Sequence, residues 1–454
     1  MSKIIKFDII KNSEGDKMKK LSFQKIFCFL SILFIISCCV FYGTRFIKLY
    51  LENRKVEISE KNSLVKVLKN NNTENKDFKS VNGINYFTGK TDNNYLLYHQ
   101  ILWRIIKINE DNSLTAISNN ALTYLAFSKT DSYTNSPIYN WLNMNEEENS
   151  GILEKALNKD YLQKTTTCTT KLDELTNTPC QDTNNDNYLS LLSIADYLNI
   201  GSKDSYLVNG ENFYLSNLNT ENKTWYIDDE GNGKIGTGND ILGIRPVITI
   251  KANIDYVSGD GTIEKPYTIE KEKNLFGSYV KLGNDIWRIY QVNENDIRLM
   301  LNDYLKVNNN PLTYKYSSNS SYHNDTVSGS IAYYLNKTYL NTLSYKDKIK
   351  ETKWSNGYYN SNTNYNYQNA LKDQVDTKVA MMSIGDIYLN PELNNYYTMT
   401  GNNSKGSMVY IVTKDKKLYA KQISSSAYIV PTISFDKNLL AKGNGTKDSP
   451  FEME

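Results

Sequence analysis

The chain has 454 residues, of which 40% are apolar and 22% are charged, and its formal net charge is +2. This length is enough for two or three domains that each bury a core. The small net charge gives no reason to expect nucleic acid or an acidic substrate as a partner. Tyrosine is frequent, with 36 residues, beside only 8 prolines and 2 histidines. We interpret this composition as background, because surface Tyr has no fixed meaning without a site.

An uncharged and mostly apolar run covers residues 26–44. Roughly 20 such residues are needed to cross the hydrocarbon core as a helix. Basic residues flank the run on both sides, at Lys17, Lys19, Lys20, Lys25, Arg45, Lys48, Arg54 and Lys55. These flanks favour a membrane-spanning segment over a helix buried in a soluble core. Because a short segment before a first span usually stays inside, we predict a single-pass signal anchor in the cell membrane, with residues 1–25 in the cytoplasm and the C-terminal domains extracellular.

Two alternatives concern this N-terminus. The sequence before Cys38 loosely resembles a lipoprotein cleavage box, in which Cys38 would be lipidated. The apolar run continues through Tyr42, which suits an uncleaved anchor better. Translation from Met18 instead of Met1 is the other alternative. After the anchor, residues 45–83 are predicted to form a juxtamembrane helix and a polar linker.

A Gly-rich turn occurs twice and indicates a tandem repeat. Gly259 and Gly261 belong to Gly-Asp-Gly-Thr, and Gly443 and Gly445 belong to Gly-Asn-Gly-Thr near the end of the chain. Because the carboxylate is lost in the second turn, we interpret both turns as structural closures and not as calcium loops. They divide the chain into two predicted domains, the first repeat segment (residues 84–271) and the second repeat segment (residues 272–454).

Each repeat segment opens with a strand that contains Trp-Arg-Ile, at Trp103 and Arg104 in the first and at Trp287 and Arg288 in the second. Alternation along a strand places each Trp in the core and the next Arg on the other face, where it would meet a carboxylate or solvent. A helical spacing of apolar residues follows in each repeat segment and predicts a packing face. These residues are Ile138, Trp141 and Leu142 in the first repeat segment and Ile331, Tyr334 and Leu335 in the second.

A buried strand then leads into the motif Ser-Ile-x-Asp, at Ser193 and Asp196 and again at Ser383 and Asp386. This spacing is typical of a capping box: the hydroxyl accepts from the amide three residues on, and the acid reaches back to the first amide. A helix start is favoured over a nucleophilic serine because no histidine occupies an equivalent place in both repeat segments. We assign no catalytic residue.

Cys168 and Cys180 are the cysteines outside the apolar run, and the second repeat segment has none. Outside the membrane, this pair is expected to form a disulfide that closes a surface loop. A zinc site would need more Cys or His. The acidic hairpin turn at residues 228–230 is replaced by lysines in the second repeat segment, so a plain turn is favoured over a calcium site. We predict no metal and no cofactor.

The first repeat segment ends in Gly-Ile-Arg-Pro-Val, which contains Arg245 and Pro246, and Val-Pro-Thr stands in this place in the second. This order of motifs resembles an uncharacterised family of bacterial surface domains from low-GC Gram-positive lineages, which we associate with the C-type-lectin-like and formylglycine-generating-enzyme-like fold. The resemblance implies two tandem α+β units, each with short helices on a small, twisted, mainly antiparallel sheet. It implies no activity, and the sugar-binding triplets of true lectins are absent.

Three functions follow from these observations. The favoured one is a membrane-tethered module that binds a glycan, a cell-wall polymer or a protein through variable loops such as residues 356–369. The second is a structural component of the envelope. An extracellular enzyme is disfavoured because the two histidines share no catalytic pattern, but a carboxylate-based hydrolase needs only two acids that are close in space and stays as the alternative.

Overall fold

The structure is a computed structural model of the chain. It describes residues 41–45, 48, 63–72, 76–128, 130–143, 152–270, 274–318, 322, 327–355, 358–359, 374–390, 392–402, 406–413 and 418–453. The predicted cytoplasmic segment, Cys38 and all of the predicted anchor except residues 41–44 lie outside the described residues, as does most of the loop 356–369. Among the helices that are described, none has both the length and the apolar character needed to cross a bilayer.

The chain divides into two compact units, Met1–Asn62 and Ser63–Glu454. In the first unit, Phe41 and Tyr42 are exposed. The second unit contains both repeat segments, and all that follows concerns it.

The described helices of this unit are short. They are α1, Leu64–Asn71; α2, Pro137–Asn143; α3, Ile152–Ala156; α4, Ile194–Ile200; and α5, Ile331–Tyr333, which continues as a π-helix over Tyr334–Tyr339. Single 3-10 turns occur at Tyr133–Asn135, Lys159–Tyr161, Ser202–Asp204, Leu340–Thr342, Lys346–Lys348 and Lys437–Leu439. The two predicted packing faces are buried as expected, apart from the half-buried Tyr334.

Part of the segment predicted as a juxtamembrane helix and linker belongs to the folded unit. Helix α1 begins after its N-cap Ser63 and buries Leu64 and Leu68 in the core. Further on, residues 78–81 form a strand that pairs antiparallel with residues 84–87. The sequence did not reveal this strand because the segment around it is polar and has no period. The folded unit therefore starts upstream of residue 84.

The strands of the first part of the unit form two main sheets and a hairpin. They are β1, Phe78–Val81; β2, Ile84–Phe87; β3, Tyr95–Tyr98; β4, Ile101–Ile108; β5, Leu114–Ser118; β6, Thr123–Ala126; β7, Leu162–Gln163; β8, Thr165–Cys168; β9, Thr183–Asn187; β10, Leu189–Ser190; β11, Phe213–Leu218; β12, Thr224–Ile227; β13, Gly233–Gly236; β14, Ile241–Ile244; β15, Val247–Ile250; and β16, Tyr267–Thr268. One sheet has the order β1-β2-β4-β5-β15-β10, with β3 on β4, β16 on β3 and β7 on β15. The other has the order β13-β12-β11-β14-β6, and β8 pairs with β9.

The second repeat segment uses the same pairing scheme. Its strands are β17, Tyr279–Leu282; β18, Asp285–Val292; β19, Asp296–Leu301; β20, Lys306–Val307; β21, Asn310–Pro311; β22, Thr313–Lys315; β23, Thr352–Ser355; β24, Tyr358–Tyr359; β25, Gln374–Thr377; β26, Val379–Met381; β27, Tyr396–Asn402; β28, Met408–Val412; β29, Leu418–Gln422; β30, Ser426–Tyr428; β31, Pro431–Asp436; β32, Leu440–Lys442; and β33, Phe451–Met453. The sheets run β26-β31-β19-β18-β17-β33-β32 and β22-β30-β27-β28-β29, with β24 also on β27. Separate two-stranded pairs are β20 with β21 and β23 with β25. The described part of the chain is thus mostly twisted β-sheet with few helices, in the α+β class that the sequence predicted.

The two Gly-x-Gly-Thr turns have the same geometry. The amide and hydroxyl of Thr262 donate to Asp260 Oδ1 at 3.1 and 2.7 Å, and Thr446 repeats both distances with Asn444. Gly259 and its counterpart at the second turn have φ angles of +99° and +83°. A Cβ at either position would collide with a proline carbonyl oxygen of its own turn, so only glycine fits. Each turn leads into a short strand, β16 or β33, that pairs in parallel with β3 or β17.

An asparagine in a helix fixes a buried strand in both repeat segments: Asn143 is the last residue of α2, and Asn336 lies in the π-helix that follows α5. Asn143 donates to the carbonyl of Leu189 and accepts from its amide, both at 3.0 Å. Asn336 makes the same pair of bonds to Val379, at 2.9 and 3.0 Å. The side-chain amide thus satisfies both backbone groups of a residue in a strand that lies under the helix.

The two repeat segments share one hydrophobic core. Trp103 and Trp287 are fully buried, as predicted, and belong to a single cluster of buried residues drawn from both repeat segments. Trp141 Nε1 also donates to Gly385 O at 2.7 Å, across the boundary between them. The repeats are therefore fused parts of one compact unit and not two separately linked modules.

The arginine that follows the first of these tryptophans does not meet a carboxylate or solvent, and this prediction is wrong. Arg104 is 4% exposed; it donates to Asn94 Oδ1 at 2.7 Å and to Thr91 O at 2.5 Å. Its guanidinium also stacks 3.8 Å above the ring of Tyr95. Burial lowers the pKa of Arg104, and the tyrosines around it oppose this effect.

Arg288 has the same kind of site in the second repeat segment. It is 8% exposed and donates to the carbonyl oxygens of Gly277 and Leu389 at 3.2 and 2.8 Å. Its guanidinium lies 4.8 Å from the ring of Tyr279, the residue equivalent to Tyr95. Loop carbonyls and a tyrosine ring thus replace the expected carboxylate. The loop before β3 or β17 folds over the arginine, and in the second repeat segment the turn that carries Leu389 also covers it.

Candidate functional site

The first Ser-Ile-x-Asp motif begins helix α4, as predicted. Ser193 Oγ accepts from the amide of Asp196 at 3.1 Å, and the helix ends at Gly201 with a φ angle of +116°. The carboxylate of Asp196, however, points away from the cap. It accepts from Lys107 Nζ at 2.7 Å and from Tyr86 Oη at 3.0 Å. Only half of a capping box is formed, because the carboxylate of Asp196 binds Lys107 and Tyr86 instead of the amide of Ser193.

The second motif does not begin a helix, and this prediction is wrong. Residues 383–390, all of which the structure describes, form a turn in which Gly385 has a φ angle of +96°. Asp386 Oδ2 accepts from the amide of Ser383 at 2.7 Å, and Ser383 Oγ donates to Ser355 O at 2.5 Å. The positive φ at Gly385 is incompatible with a right-handed helix, so the chain turns instead.

The predicted disulfide is present. Cys168 and Cys180 are bonded, with their Cα atoms 5.7 Å apart and a sequence separation of 12. Cys168 ends strand β8, and its carbonyl accepts from Ser216 Oγ at 2.9 Å. The second repeat segment has no cysteine in the matching region, where the nearest bulky residue is Trp354. This tryptophan is buried, and its Nε1 donates to Thr377 O at 2.9 Å. The closed loop is therefore a feature of the first repeat segment alone.

A groove of about 600 Å³ runs beside this loop. We call it the polar groove. Its lining includes Tyr86, Lys107, Asp111, Gln163, Thr165, Cys168, Asn177, Cys180, Ser193 and Asp196. The groove thus brings together four residues that the sequence singled out for structural reasons, the two cysteines and the Ser-Asp pair. The others were missed because they are ordinary polar residues on separate strands and loops.

The charged groups of the polar groove are held in place by hydrogen bonds. Asp111 accepts from Ser113 Oγ at 2.6 Å and from Gln163 Nε2 at 3.0 Å. Burial raises its pKa, but these hydrogen bonds outweigh burial and hold the pKa of Asp111 below its ordinary value. Burial, and then the charge of Asp196, raises the pKa of Tyr86, so its hydroxyl stays protonated.

This arrangement suits binding better than acid catalysis. A carboxyl with a lowered pKa is ionised at neutral pH and has no proton to give, so Asp111 is a poor general acid. Fixed carboxylates, amides, hydroxyls and an ammonium group instead provide several hydrogen-bond acceptors and donors along one surface.

A second groove, of about 710 Å³, lies in the second repeat segment and includes Asp285, Asp303 and Tyr345. Burial raises the pKa of Asp285, whose carboxylate accepts from Tyr345 Oη at 3.4 Å. Asp303 Oδ2 lies 2.5 Å from Lys306 Nζ. These two acids could not be singled out from the sequence, since neither belongs to a recognisable motif.

The remaining motif residues act as scaffold. Arg245 is 1% exposed and donates to Ser118 O at 3.0 Å and to Leu207 O at 2.6 Å. Burial lowers its pKa to about 10, although the charge of Glu211 opposes this. The carbonyl of Pro246 accepts from the amide of Ser118 at 2.9 Å and aligns strand β15.

The acidic turn after β12 is a plain turn. Asp228 Oδ1 accepts from the amides of Glu230 and Asn232 at 3.1 and 2.7 Å, so its carboxylate caps its own backbone. Within the described ranges, no group of three or more His, Cys, Asp or Glu side chains is placed to hold a metal ion.

No protein-family model, no curated protein and no solved structure matches the chain. Its function is therefore inferred from the geometry of the described residues.

Proposed function

We propose that the protein is a membrane-anchored extracellular binding module and that the polar groove of its first repeat segment holds a glycan or another hydroxyl-rich cell-wall polymer. One observation carries this proposal: the groove gathers polar side chains from β4, β7, the start of α4 and the disulfide loop, and hydrogen bonds hold several of them in fixed positions. A polyol ligand is recognised by such preformed sets of donors and acceptors.

The location of the groove supports the proposal. It lies at the disulfide loop, which has no counterpart in the second repeat segment, while most of the motifs that the two share serve the scaffold. Binding residues in general are concentrated on loops that a rigid scaffold positions, and the disulfide loop is such a loop.

A binding screen tests the proposal. The chain from Ser63 to Glu454 would be titrated with purified wall fragments and soluble glycans in a calorimeter, with and without EDTA. We expect a wall glycan to bind, and the double variant Gln163→Ala, Asn177→Ala to bind at least ~10-fold more weakly, because two hydrogen bonds of about 1 kcal/mol each are lost. Asn310→Ala, an exposed change outside the groove, is the matched control.

Failure of the wild-type chain to bind any wall fragment, together with self-assembly in solution, would favour a structural envelope component instead. Unchanged affinity of the double variant would move the binding site away from the polar groove.

The alternative is a carboxylate-based hydrolase, and the groove around Asp285 is the specific observation that favours it. An acid with a raised pKa that shares a groove with a second carboxyl group is an arrangement that acid–base hydrolysis can use. Release of reducing sugar from wall glycans, abolished in Asp285→Asn, would support the enzyme. Absence of turnover with every fragment that binds would exclude it for those substrates.

A further inference from the structure

The disulfide loop forms one wall of the polar groove. Four of its consecutive residues line the groove: Asn177, Thr178, Pro179 and Cys180. We call residues 176–180 the wall segment. All of them are exposed except Thr178, which is half-buried. A segment that buries so little has few packing contacts to hold it, so its position depends on its covalent and hydrogen bonds.

The chain on both sides of the wall segment is held by hydrogen bonds that do not involve the disulfide. Before it, the amide of Leu172 donates to Leu218 O at 2.9 Å, and the carbonyl of Leu172 accepts from Trp225 Nε1 at 2.7 Å. After it, the amide of Gln181 donates to Thr170 Oγ1 at 2.8 Å. These flanking residues would therefore keep their places if the disulfide opened.

The wall segment itself has little other support. In the described part of the chain, one hydrogen bond joins it to a helix or strand: Asn177 Nδ2 donates to Asn199 Oδ1 of α4 at 2.9 Å, on the exposed surface. Its other hydrogen bonds stay inside the loop, as between the amide of Thr176 and Glu174 O at 2.9 Å. A single exposed hydrogen bond contributes little net stability. The disulfide is thus the main constraint on this wall of the groove.

The two cysteines differ in exposure and in their neighbours. Cys180 is exposed, whereas Cys168 is half-buried. The side-chain amide of the buried Asn217 donates to Cys168 Sγ at 3.8 Å. A thiolate from solvent meets the more exposed cysteine first, and an N–H group beside the other sulfur stabilises the thiolate that leaves. This arrangement favours attack on Cys180 with Cys168 as the leaving group.

We propose that the disulfide between Cys168 and Cys180 is a redox switch of the polar groove, opened by small-molecule thiols. A first thiolate bonds to Cys180 Sγ, the sulfur–sulfur bond of the protein breaks, and the released Cys168 thiolate takes up a proton. A second thiolate attacks the sulfur of the first and releases the Cys180 thiolate, which is protonated in turn. The cysteine pair is reduced, and two thiol groups are oxidised to a disulfide. The wall segment is then no longer fixed.

Reduction would change the wall and leave the rest of the polar groove in place. Lys107 donates to Asp196 at 2.7 Å and Gln163 to Asp111 at 3.0 Å, and neither bond involves the disulfide loop. A ligand of the reduced protein would have to order the wall segment as it binds, which costs conformational entropy. We therefore expect the reduced protein to bind its ligand more weakly, an effect that rests on the function proposed for the groove.

Limited proteolysis of the full-length chain tests the release of the wall segment without any ligand. Glu174 is exposed and lies close to the wall segment, so a glutamate-specific protease reports local opening there. After incubation with dithiothreitol, we expect cleavage after Glu174 to be at least ~10-fold faster, because a loop that opens more often is cut more often. Cleavage after Glu221, an exposed residue of another turn, should keep its rate. An unchanged rate at Glu174, or an equal increase at Glu221, would overturn the proposal.

Calorimetry of the full-length chain with a soluble wall glycan tests the effect on binding. We expect dithiothreitol to weaken binding at least ~10-fold and reoxidation to restore it. The double variant Cys168→Ser, Cys180→Ser should bind as weakly as the reduced chain and should not respond to the thiol. This variant keeps Cys28, Cys38 and Cys39, so a response would assign the effect to those cysteines and contradict the proposal.

The two measurements separate the switch from the function on which it rests. Absence of glycan binding by the oxidised chain would contradict the function proposed for the polar groove, and the cleavage rate at Glu174 would still show whether the disulfide holds the wall segment. Faster cleavage with unchanged glycan affinity would show that the wall segment takes no part in binding, and would overturn the switch.

Discussion

The motif Ser-Ile-x-Asp occurs in both repeat segments and folds in two different ways. After Ser193 the chain forms helix α4, whereas after Ser383 it forms a turn with a positive φ at Gly385. The residue equivalent to Gly385 is Ala195, inside the helix. Alanine has the highest helix propensity, while glycine takes positive φ at little cost, so one residue selects between the two conformations.

This difference changes what the motif contacts in each repeat segment. Helix α4 presents Ser193 and Asp196 to the polar groove. The turn instead carries Tyr388, whose ring lies 6.0 Å from that of Tyr124 of the first repeat segment. The same motif thus contributes to a hydrophilic groove in one repeat segment and to a packed aromatic contact in the other.

The largest expected effect comes from the disulfide, which has no counterpart in the second repeat segment. Replacing Cys168 and Cys180 by serine should lower the free energy of unfolding by about 3 kcal/mol, because the open loop gains chain entropy in the unfolded state. Denaturant unfolding of the variant and of the wild-type chain measures this. A difference below about 1 kcal/mol would mean that the loop is held by its hydrogen bonds alone.

Substitutions at Gly385 and Ala195 test whether the residue at this position decides between the turn and the helix. Gly385→Ala should cost about 2 kcal/mol, because alanine is strained at a φ angle of +96° and the carbonyl that accepts from Trp141 would shift. Ala195→Gly, the reciprocal change, should cost only about 1 kcal/mol through lost helix propensity. Thermal unfolding of both variants shows which substitution lowers the melting temperature more. Equal costs would show that the residue at this position does not decide the conformation.

The N-cap gives a smaller effect. Ser193→Ala should cost about 1 kcal/mol, since the amide of Asp196 loses its acceptor, whereas Ser193→Gly should cost only a few tenths, roughly. Equilibrium unfolding distinguishes the two variants. If both cost the same, the hydroxyl of Ser193 contributes by some other contact.

The smallest effects concern two acids, one in each repeat segment, whose pH dependence has opposite sign. Burial raises the pKa of Asp285, so its proton stabilises the fold at low pH and this contribution is lost as pH rises through the folded pKa. For Asp111 burial also raises the pKa, but the bonds from Ser113 and Gln163 lower it overall, so its contribution is present above the ordinary pKa and is lost as pH falls through the folded pKa.

Melting temperatures between about pH 3 and pH 7 check both signs. Asp285→Asn should melt higher than the wild-type chain at neutral pH, because the cost of burying its charge is removed. Asp111→Asn should melt lower at neutral pH and approach the wild-type chain in acid. The reverse order for either acid would show that its environment differs from the one described.

Local patterns predicted much of the fold. Alternation located the strands around Trp103 and Trp287, helical spacing located the faces of α2 and α5, and cysteine spacing predicted the disulfide. These signals depend on neighbours in the sequence, which is why they could be read from it.

The sites could not be predicted in this way. The acceptors of Arg104 and Arg288 are mostly backbone carbonyls of loops. Every residue type has this group, so the sequence does not indicate which carbonyl an arginine will meet. The contact between Tyr124 and Tyr388 joins residues that are far apart in the chain and come together only in the shared core. A glycine at position 385 disfavours a helix, but the capping motif formed by Ser383 and Asp386 led to the prediction of a helix start there.

The most direct test of the central proposal is a map of amide chemical shifts in the isotope-labelled chain from Ser63 to Glu454, recorded while a soluble wall glycan is added. The proposal that the polar groove is the binding site predicts that the largest changes cluster at Lys107, Asp111, Gln163 and Asn177, with little change at the equivalent strands of the second repeat segment. Changes confined to the second repeat segment, or spread equally over both, would contradict it.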